Sequence, residues 1–280
     1  MYYQHSADIF RFEYRNEKGC LNRAVLKTLN TSIFVNSSNT PSTLPGETAN
    51  NFIKSEFLSF DERNNVYILR CEFDNSQYHR KRYNELGIPF PNELKNATTK
   101  RQMEFLAGRY IAHKALRELC FDISHIPRNE HGAPVWPDGV VASVSHTNSV
   151  AVCAASLRRH NDYLGVDIEN WISPLNTKDI MRIVIDSHEE YILSGADVSF
   201  ERALTIAFSA KESFFKALYS HVGKHFNFEA AKIYAFCMKE KSVTLIVNST
   251  LSPLILEGKI FECKYSMDEF GVMTLLSGKL

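Results

Sequence analysis

The sequence predicts an α+β protein built as two similar α/β halves, and three observations predict it. Two stretches, TKRQMEFLAGRYIAHKALREL from Thr99 and RALTIAFSAKESFFKALYSHV from Arg202, repeat apolar residues at helical spacing. FLAGR at 105–109 is echoed by FSAKE at 208–212, and each is followed by a run ending in Lys-Ala-Leu. Short β-like runs surround both patterns: VYILRCEF, VVASVSHTNSVAVCAAS, YLGVDIE, KSVTLIVN and GVMTLLSG.

In chain order, the 36–51 stretch NSSNTPSTLPGETANN is rich in Ser, Thr, Asn, Pro and Gly. It reads as a loop inside an N-terminal extension, 1–75, packed on the first half. VYILRCEF at 66–73 reads as a strand, and the basic RKR at 80–82 follows a polar turn. In the first helix Met103, Leu106, Tyr110 and Leu116 form the apolar stripe, while Arg101, Arg109 and Arg117 recur every eight residues. Gly108 costs this helix about 1 kcal/mol against Ala, which suggests a close approach of backbone or ligand. GAPVWPDG is a loop, and the next run reads as a hairpin with its polar turn at 145–148. The first half spans 76–160.

The second half, 161–280, opens with YLGVDIE. Leu164, Val166 and Ile168 alternate with Gly165, Asp167 and Glu169, the period-two pattern of a strand with one buried face. The second helix then places Leu204, Ala207, Phe208, Phe215 and Leu218 on one stripe, with Lys211, Glu212 and Lys216 beside it. KSVTLIVN and GVMTLLSG complete a sheet.

With 280 residues, 44% of them hydrophobic, the chain can bury a substantial core without staples. Its 32 basic and 32 acidic residues give no global argument for nucleic acid or an anionic membrane. The six cysteines stand singly, without metal-finger spacing, which fits a reducing cytoplasm. The N-terminus has no basic start followed by an apolar run, and the longest small-apolar run falls far short of the ~20 residues a membrane helix needs.

Asp167 and Glu169 stand about 7 Å apart along a strand, where two like charges resist joint ionisation unless a cation lies between them. That donor chemistry suits Mg²⁺. The same D-x-E pattern also occurs on solvated strand faces. Glu212 and Lys216 share a helix face, either as functional groups or as an ordinary i,i+4 pair. Ser145 and His146 offer a hydroxyl and an imidazole to a phosphate, or serve only as turn residues.

Taken in order, KRQMEFLAGR, PVWPDGVVASVSHT, GVDIE and FSAKESFFKAL resemble the motif series of the 4′-phosphopantetheinyl transferases, in the surfactin-type branch and its enterobactin synthase component D-like subgroup. The resemblance covers about residues 78–228. It implies a pseudo-dimer of two halves with the active site in the cleft between them. It also implies metal binding by Asp167, Glu169 and Glu212, with Mg²⁺ as the ion and Mn²⁺ as an alternative. Arg101, Arg109, Ser145, His146, Lys211 and Lys216 then hold coenzyme A, the substrate. Glu212 and Lys216 are the catalytic pair, Glu212 acting through water as base. Relatives often carry a basic residue just before PVWP. Gly132 and Ala133 stand there instead, leaving Arg128 or His131 for that contact, and Ala142 replaces a common glycine.

The implied reaction moves phosphopantetheine from coenzyme A to a serine of an apo carrier protein and releases 3′,5′-ADP. The expected partners are peptidyl or aryl carrier domains of siderophore-type nonribosomal peptide synthesis, with polyketide and fatty-acid carriers as alternatives. The competing readings are a degenerate carrier-binding protein and a metal-dependent nucleotide pyrophosphatase.

Overall fold

The computed structural model describes residues 51–280, together with the backbone of two short N-terminal strands. Those strands, β1 (Arg11–Arg15) and β2 (Leu21–Val25), pair antiparallel and belong to a separate unit, residues 1–36. Apart from Asn51, the loop expected at 36–51 lies outside the described residues.

The main unit contains two antiparallel sheets, each crossed by one long helix. The first sheet has the order β3-β4-β6-β5. Strand β3 (Ile53–Asp61) pairs with β4 (Val66–Phe73), so part of the stretch read as an N-terminal extension is integral to this sheet. After the single turn α1 (Arg82–Glu85) comes α2 (Thr99–Glu118), which starts where the Thr98 side chain accepts the Arg101 N–H. Strands β5 (Val140–His146) and β6 (Val150–Leu157) form the expected hairpin. Its tip is Asn148 and Ser149, closed by Thr147 N–H to the Val150 carbonyl at 2.8 Å. Ser145 and His146 therefore sit at the end of a strand and not in the turn.

The small side chains of β6 admit α2 closely. Ala151, Cys153 and Ala155 share a core with Leu106, Ile111, Leu116, Phe52 and Tyr83. Gly108 is not the tight point: a methyl group there would meet Val144 Cγ2 at 3.6 Å, an ordinary contact.

Five residues separate the end of β6 from strand β7 (Tyr163–Asn170). The short helices α3 (Thr177–Val184) and α4 (Ser187–Ser194) lead to α5 (Phe200–Val222), and β8 (Ala231–Cys237), β9 (Ser242–Val247), β10 (Ile260–Met267) and β11 (Gly271–Gly278) complete a sheet of order β7-β11-β10-β9-β8. Helix α5 is capped by Ser199 at its start and by left-handed Gly223 (φ 73°) at its end. Its core side is Leu204, Ile206, Phe214 and Leu218, packed on Val243, Leu245, Phe261 and Leu276. Phe208 and Phe215, expected on the buried stripe, are half-exposed.

Both faces of β7 are covered, because α5 lies directly across Gly165. A methyl group at Gly165 would overlap the Ser213 carbonyl and approach Ala217 N to 2.7 Å. The free edges of the two sheets, β5 and β7, lie side by side. Ser143 Oγ on β5 accepts the Val166 N–H of β7 at 3.0 Å. The structure is thus α+β, two halves with separate cores that meet along one seam.

Candidate active site

Three elements converge at the seam. Strand β5 ends with Ser145 and His146. Strand β7 carries Asp167 and Glu169, and α5 presents a half-exposed stripe of Phe208, Glu212, Phe215, Lys216 and Tyr219 at helical spacing. Close packing at Gly165 brings that stripe over the carboxylates.

Asp167 is the hub and is almost fully buried. Its Oδ1 accepts from Ser145 Oγ at 2.8 Å and from Lys216 Nζ at 2.6 Å, and its Oδ2 accepts from Ser209 Oγ at 2.7 Å. The Lys216 ammonium also donates to Ser145 Oγ at 2.9 Å, so one cation joins groups from both halves. Burial pushes the Glu169 carboxyl up to about 8, with the Asp167 and Glu212 charges adding to the rise and Lys216 opposing it. Glu212 is raised for the same first reason, with Lys216 and His225 opposing and Asp167 adding.

Beside this acidic group lies a basic one. Arg101 Nη1 donates to His146 Nε2 at 3.2 Å. That contact assigns the ring proton to Nδ1, which faces the Glu104 carboxylate at 3.8 Å. Burial lowers the His146 pKa; Glu104 opposes, and Arg101 and Lys216 add to the fall. Arg109 is buried with its guanidinium 4.8 Å from the centre of the Phe105 ring, and its Nε has no hydrogen-bond partner among the described residues. Arg128 lies 5.8 Å from the same ring. Burial brings Arg109 down to about 10, and repulsion from Arg128 and Arg101 contributes. An unpaired buried donor among cations is what an anionic ligand would satisfy. His131 lies edge-on to Tyr219 of the α5 stripe at 6.3 Å.

Lys211 does not join this cluster. It is buried on the far side of α5, paired with Glu189 at 2.6 Å and donating to the Val184 carbonyl at 2.7 Å. Its neighbour in sequence, Glu212, lies on the open stripe, because adjacent helical residues point about 100° apart. Read along the chain, the two look equivalent.

A family model for the 4′-phosphopantetheinyl transferase N-terminal domain matches residues 90–156, and one for the 4′-phosphopantetheinyl transferase superfamily matches 163–264. Enterobactin synthase component D of Salmonella typhi is 39% identical over 163 residues, 58% of this chain and 66% of that protein. The Salmonella austin protein of the same name is 36% identical over 175 residues, 62% of this chain and 71% of its own length. The chain belongs to the 4′-phosphopantetheinyl transferase superfamily. A further member, the transferase Svp of Streptomyces mobaraensis, is 34% identical over 155 residues, 53% of this chain and 61% of that protein. The two matched segments of this superfamily member part at the link between β6 and β7, where the two halves divide.

The donor set fits a hard divalent cation in an open site. Three oxygen-bearing side chains influence one another electrostatically, and an ammonium already rests against Asp167 Oδ1 where positive charge is favoured. They do not close into a cage: among the described residues, no three His, Cys, Asp or Glu side chains converge tightly enough to enclose an ion. One or two carboxylates, with the remaining positions left to water and phosphate, is the usual Mg²⁺ arrangement.

Sequence reasoning missed Glu104, Ser209 and Thr274. Glu104 is one helical turn from Arg101, which is a weak signal. Ser209 and Thr274 left one trace, a hydroxyl at a core-facing position of an otherwise apolar pattern.

Proposed function

We propose that this chain transfers the 4′-phosphopantetheine group of coenzyme A to a serine of an apo carrier protein, releasing 3′,5′-ADP. The observation that carries the reading is the junction of Ser145, Asp167 and Lys216, contributed by both halves, beside the buried Arg109 with its unpartnered Nε.

Residues 76–160 supply the coenzyme-facing groups and 161–280 the acidic ones. Arg109 and Arg128, on the Phe105 ring, take the 3′-phosphoadenosine end, and Arg101, Ser145 and His146 take phosphate oxygens. Asp167, Glu169 and Glu212 would supply carboxylate oxygens to Mg²⁺, or Mn²⁺ in its place, with water and phosphate filling the remaining positions, and the ion would neutralise pyrophosphate charge. The carrier serine oxygen forms a bond to the β-phosphorus as the bond from that phosphorus to the 3′,5′-ADP oxygen breaks. Glu212 accepts the serine proton through a water, and its raised pKa brings it nearer the range useful to a base. Lys216 faces the charge that develops on the phosphate. Lys211 acts from behind, its buried ion pair fixing the turn of α5 that carries Glu212.

The preferred partner is a carrier domain of siderophore-type nonribosomal peptide synthesis, supported by the names of the Salmonella relatives. A cytoplasmic setting is supported by Cys71, Cys153, Cys237 and Cys263, none of which forms a disulfide. No helix among the described residues is long and apolar enough to cross a membrane.

Incubation with Mg²⁺, coenzyme A and apo carriers of the peptide, polyketide and fatty-acid types tests the reading. The expected result is a phosphopantetheine mass gain on the carrier with stoichiometric 3′,5′-ADP. No gain on any carrier overturns it, and nucleotide release without a carrier identifies a hydrolase.

A further inference from the structure

Behind the acidic cluster lies a chain of three hydroxyls that the transfer reaction does not itself use. Ser209 and Ser213, one turn apart on α5, and Thr274 on β11 are all fully buried. Ser209 Oγ donates to Asp167 Oδ2 at 2.7 Å, Thr274 Oγ1 is 2.9 Å from Ser209 Oγ, and Ser213 Oγ is 2.7 Å from Thr274 Oγ1. Each hydroxyl has one hydrogen. Only one direction lets every link donate onward and end on the carboxylate: Ser213 to Thr274, Thr274 to Ser209, Ser209 to Asp167. Hydrogen bonds in such a chain polarise one another, and a low-dielectric interior strengthens each. Thr274 pairs in register with Asp167, and its one hydroxyl hydrogen is shared between Ser209 Oγ and the Ser209 carbonyl, an acceptor at 2.9 Å, as that of Ser213 is shared between Thr274 Oγ1 and the Thr274 carbonyl at 3.1 Å.

We infer that Ser209, Thr274 and Ser213 are positioning residues that lock the Asp167 carboxylate about its Cβ–Cγ bond, tying Oδ2 inward so that Oδ1 faces the cleft as a ligand for a divalent cation. The inference rests on the metal reading above. Without the Ser209 hydroxyl, Oδ2 loses its anchor and the carboxylate is held only at Oδ1, by Ser145 and Lys216, about which it is free to pivot. Groups that orient a metal ligand from behind typically govern about 10–100-fold in metal affinity.

The test is Mn²⁺ uptake followed by electron paramagnetic resonance, with coenzyme A present and carrier omitted, on full-length protein whose fold is checked by thermal melting. Ser209→Ala is expected to weaken Mn²⁺ binding about tenfold, while coenzyme A affinity measured without metal stays within twofold of wild type. Thr274→Val is expected to weaken it as well, and Thr274→Ser, which keeps the hydroxyl, to restore it. If Ser209→Ala does not fold, the Thr274 pair decides. Wild-type uptake matched within twofold by the folded Ala and Val variants overturns the inference alone. A wild-type protein that takes up no Mn²⁺ overturns the metal reading and this inference together. A purely structural role would lower the melting temperature and leave Mn²⁺ affinity unchanged, which also overturns it.

Discussion

Glu212 is held where its charge is costly. Burial raises its pKa, so the ionised form is disfavoured in the folded state and a neutral amide of the same shape removes no stabilising charge. Glu212→Gln is therefore expected to keep a melting temperature at or slightly above wild type while transfer falls at least a hundredfold, the lower range of a general-base contribution. Carrier mass gain and thermal melting measured side by side check it. His146 shifts the opposite way. Its pKa lies below the ordinary value near 6.5, so it is neutral at pH 7, and the stability this contributes is present above about 6.5 and lost as pH falls through the folded value. An anionic phosphate next to the ring reverses that preference. Coenzyme A binding at pH 7 should take up protons, seen as a binding enthalpy that varies with the ionisation enthalpy of the buffer. His146→Gln should abolish the dependence; an unchanged slope would locate the proton elsewhere.

Helix packing tells the two halves apart. In the first half the α2–sheet contact is mediated by Ala151, Cys153 and Ala155, and Gly108 has room for a methyl group. In the second half α5 rests on the backbone of β7 at Gly165, with no room at all. Gly165→Ala is expected to destabilise the protein by about 1–3 kcal/mol and to reduce transfer, because the Ser213 turn it displaces lies beside Glu212 and Lys216. Gly108→Ala is expected to be neutral or stabilising by up to about 1 kcal/mol. Urea unfolding of both variants checks the contrast. GVDIE and FLAGR each contain one glycine, and nothing in either string says which is the pressed one. That distinction depends on helix-to-sheet distance, a property of the assembled element.

At the scale of the molecule, the seam between β5 and β7 is where stability and chemistry meet. Ser143 supplies the partner for the Val166 N–H at the open edge of β7, and two residues on, Ser145 reaches Asp167. Ser143→Ala leaves that buried N–H unpaired and should cost about 1–3 kcal/mol. The expected signature is a lower urea midpoint with the acidic cluster's residues untouched. A midpoint equal to wild type would mean that the halves are held by other contacts.

The sequence by itself determined the two long helices almost to the residue, the hairpin, the strand bearing Asp167 and Glu169, and the ordered motifs that mark the superfamily. Those features are local: helical and strand periodicity and short strings are written in neighbouring positions. It did not determine that β3 joins the first sheet, because the pattern IKSEFLSFD has no clean alternation and its pairing with β4 supplies the order. Nor did it separate Lys211 from Lys216. Both are lysines on one helix, and only the placement of Glu189 on one side and Asp167 on the other decides that the first is a buried brace and the second faces the site. The hydroxyl chain through Thr274 was equally invisible, since it joins residues 65 positions apart. Local pattern encodes elements, but a site at the seam of two halves is made of distances between elements, which are set when the cores pack.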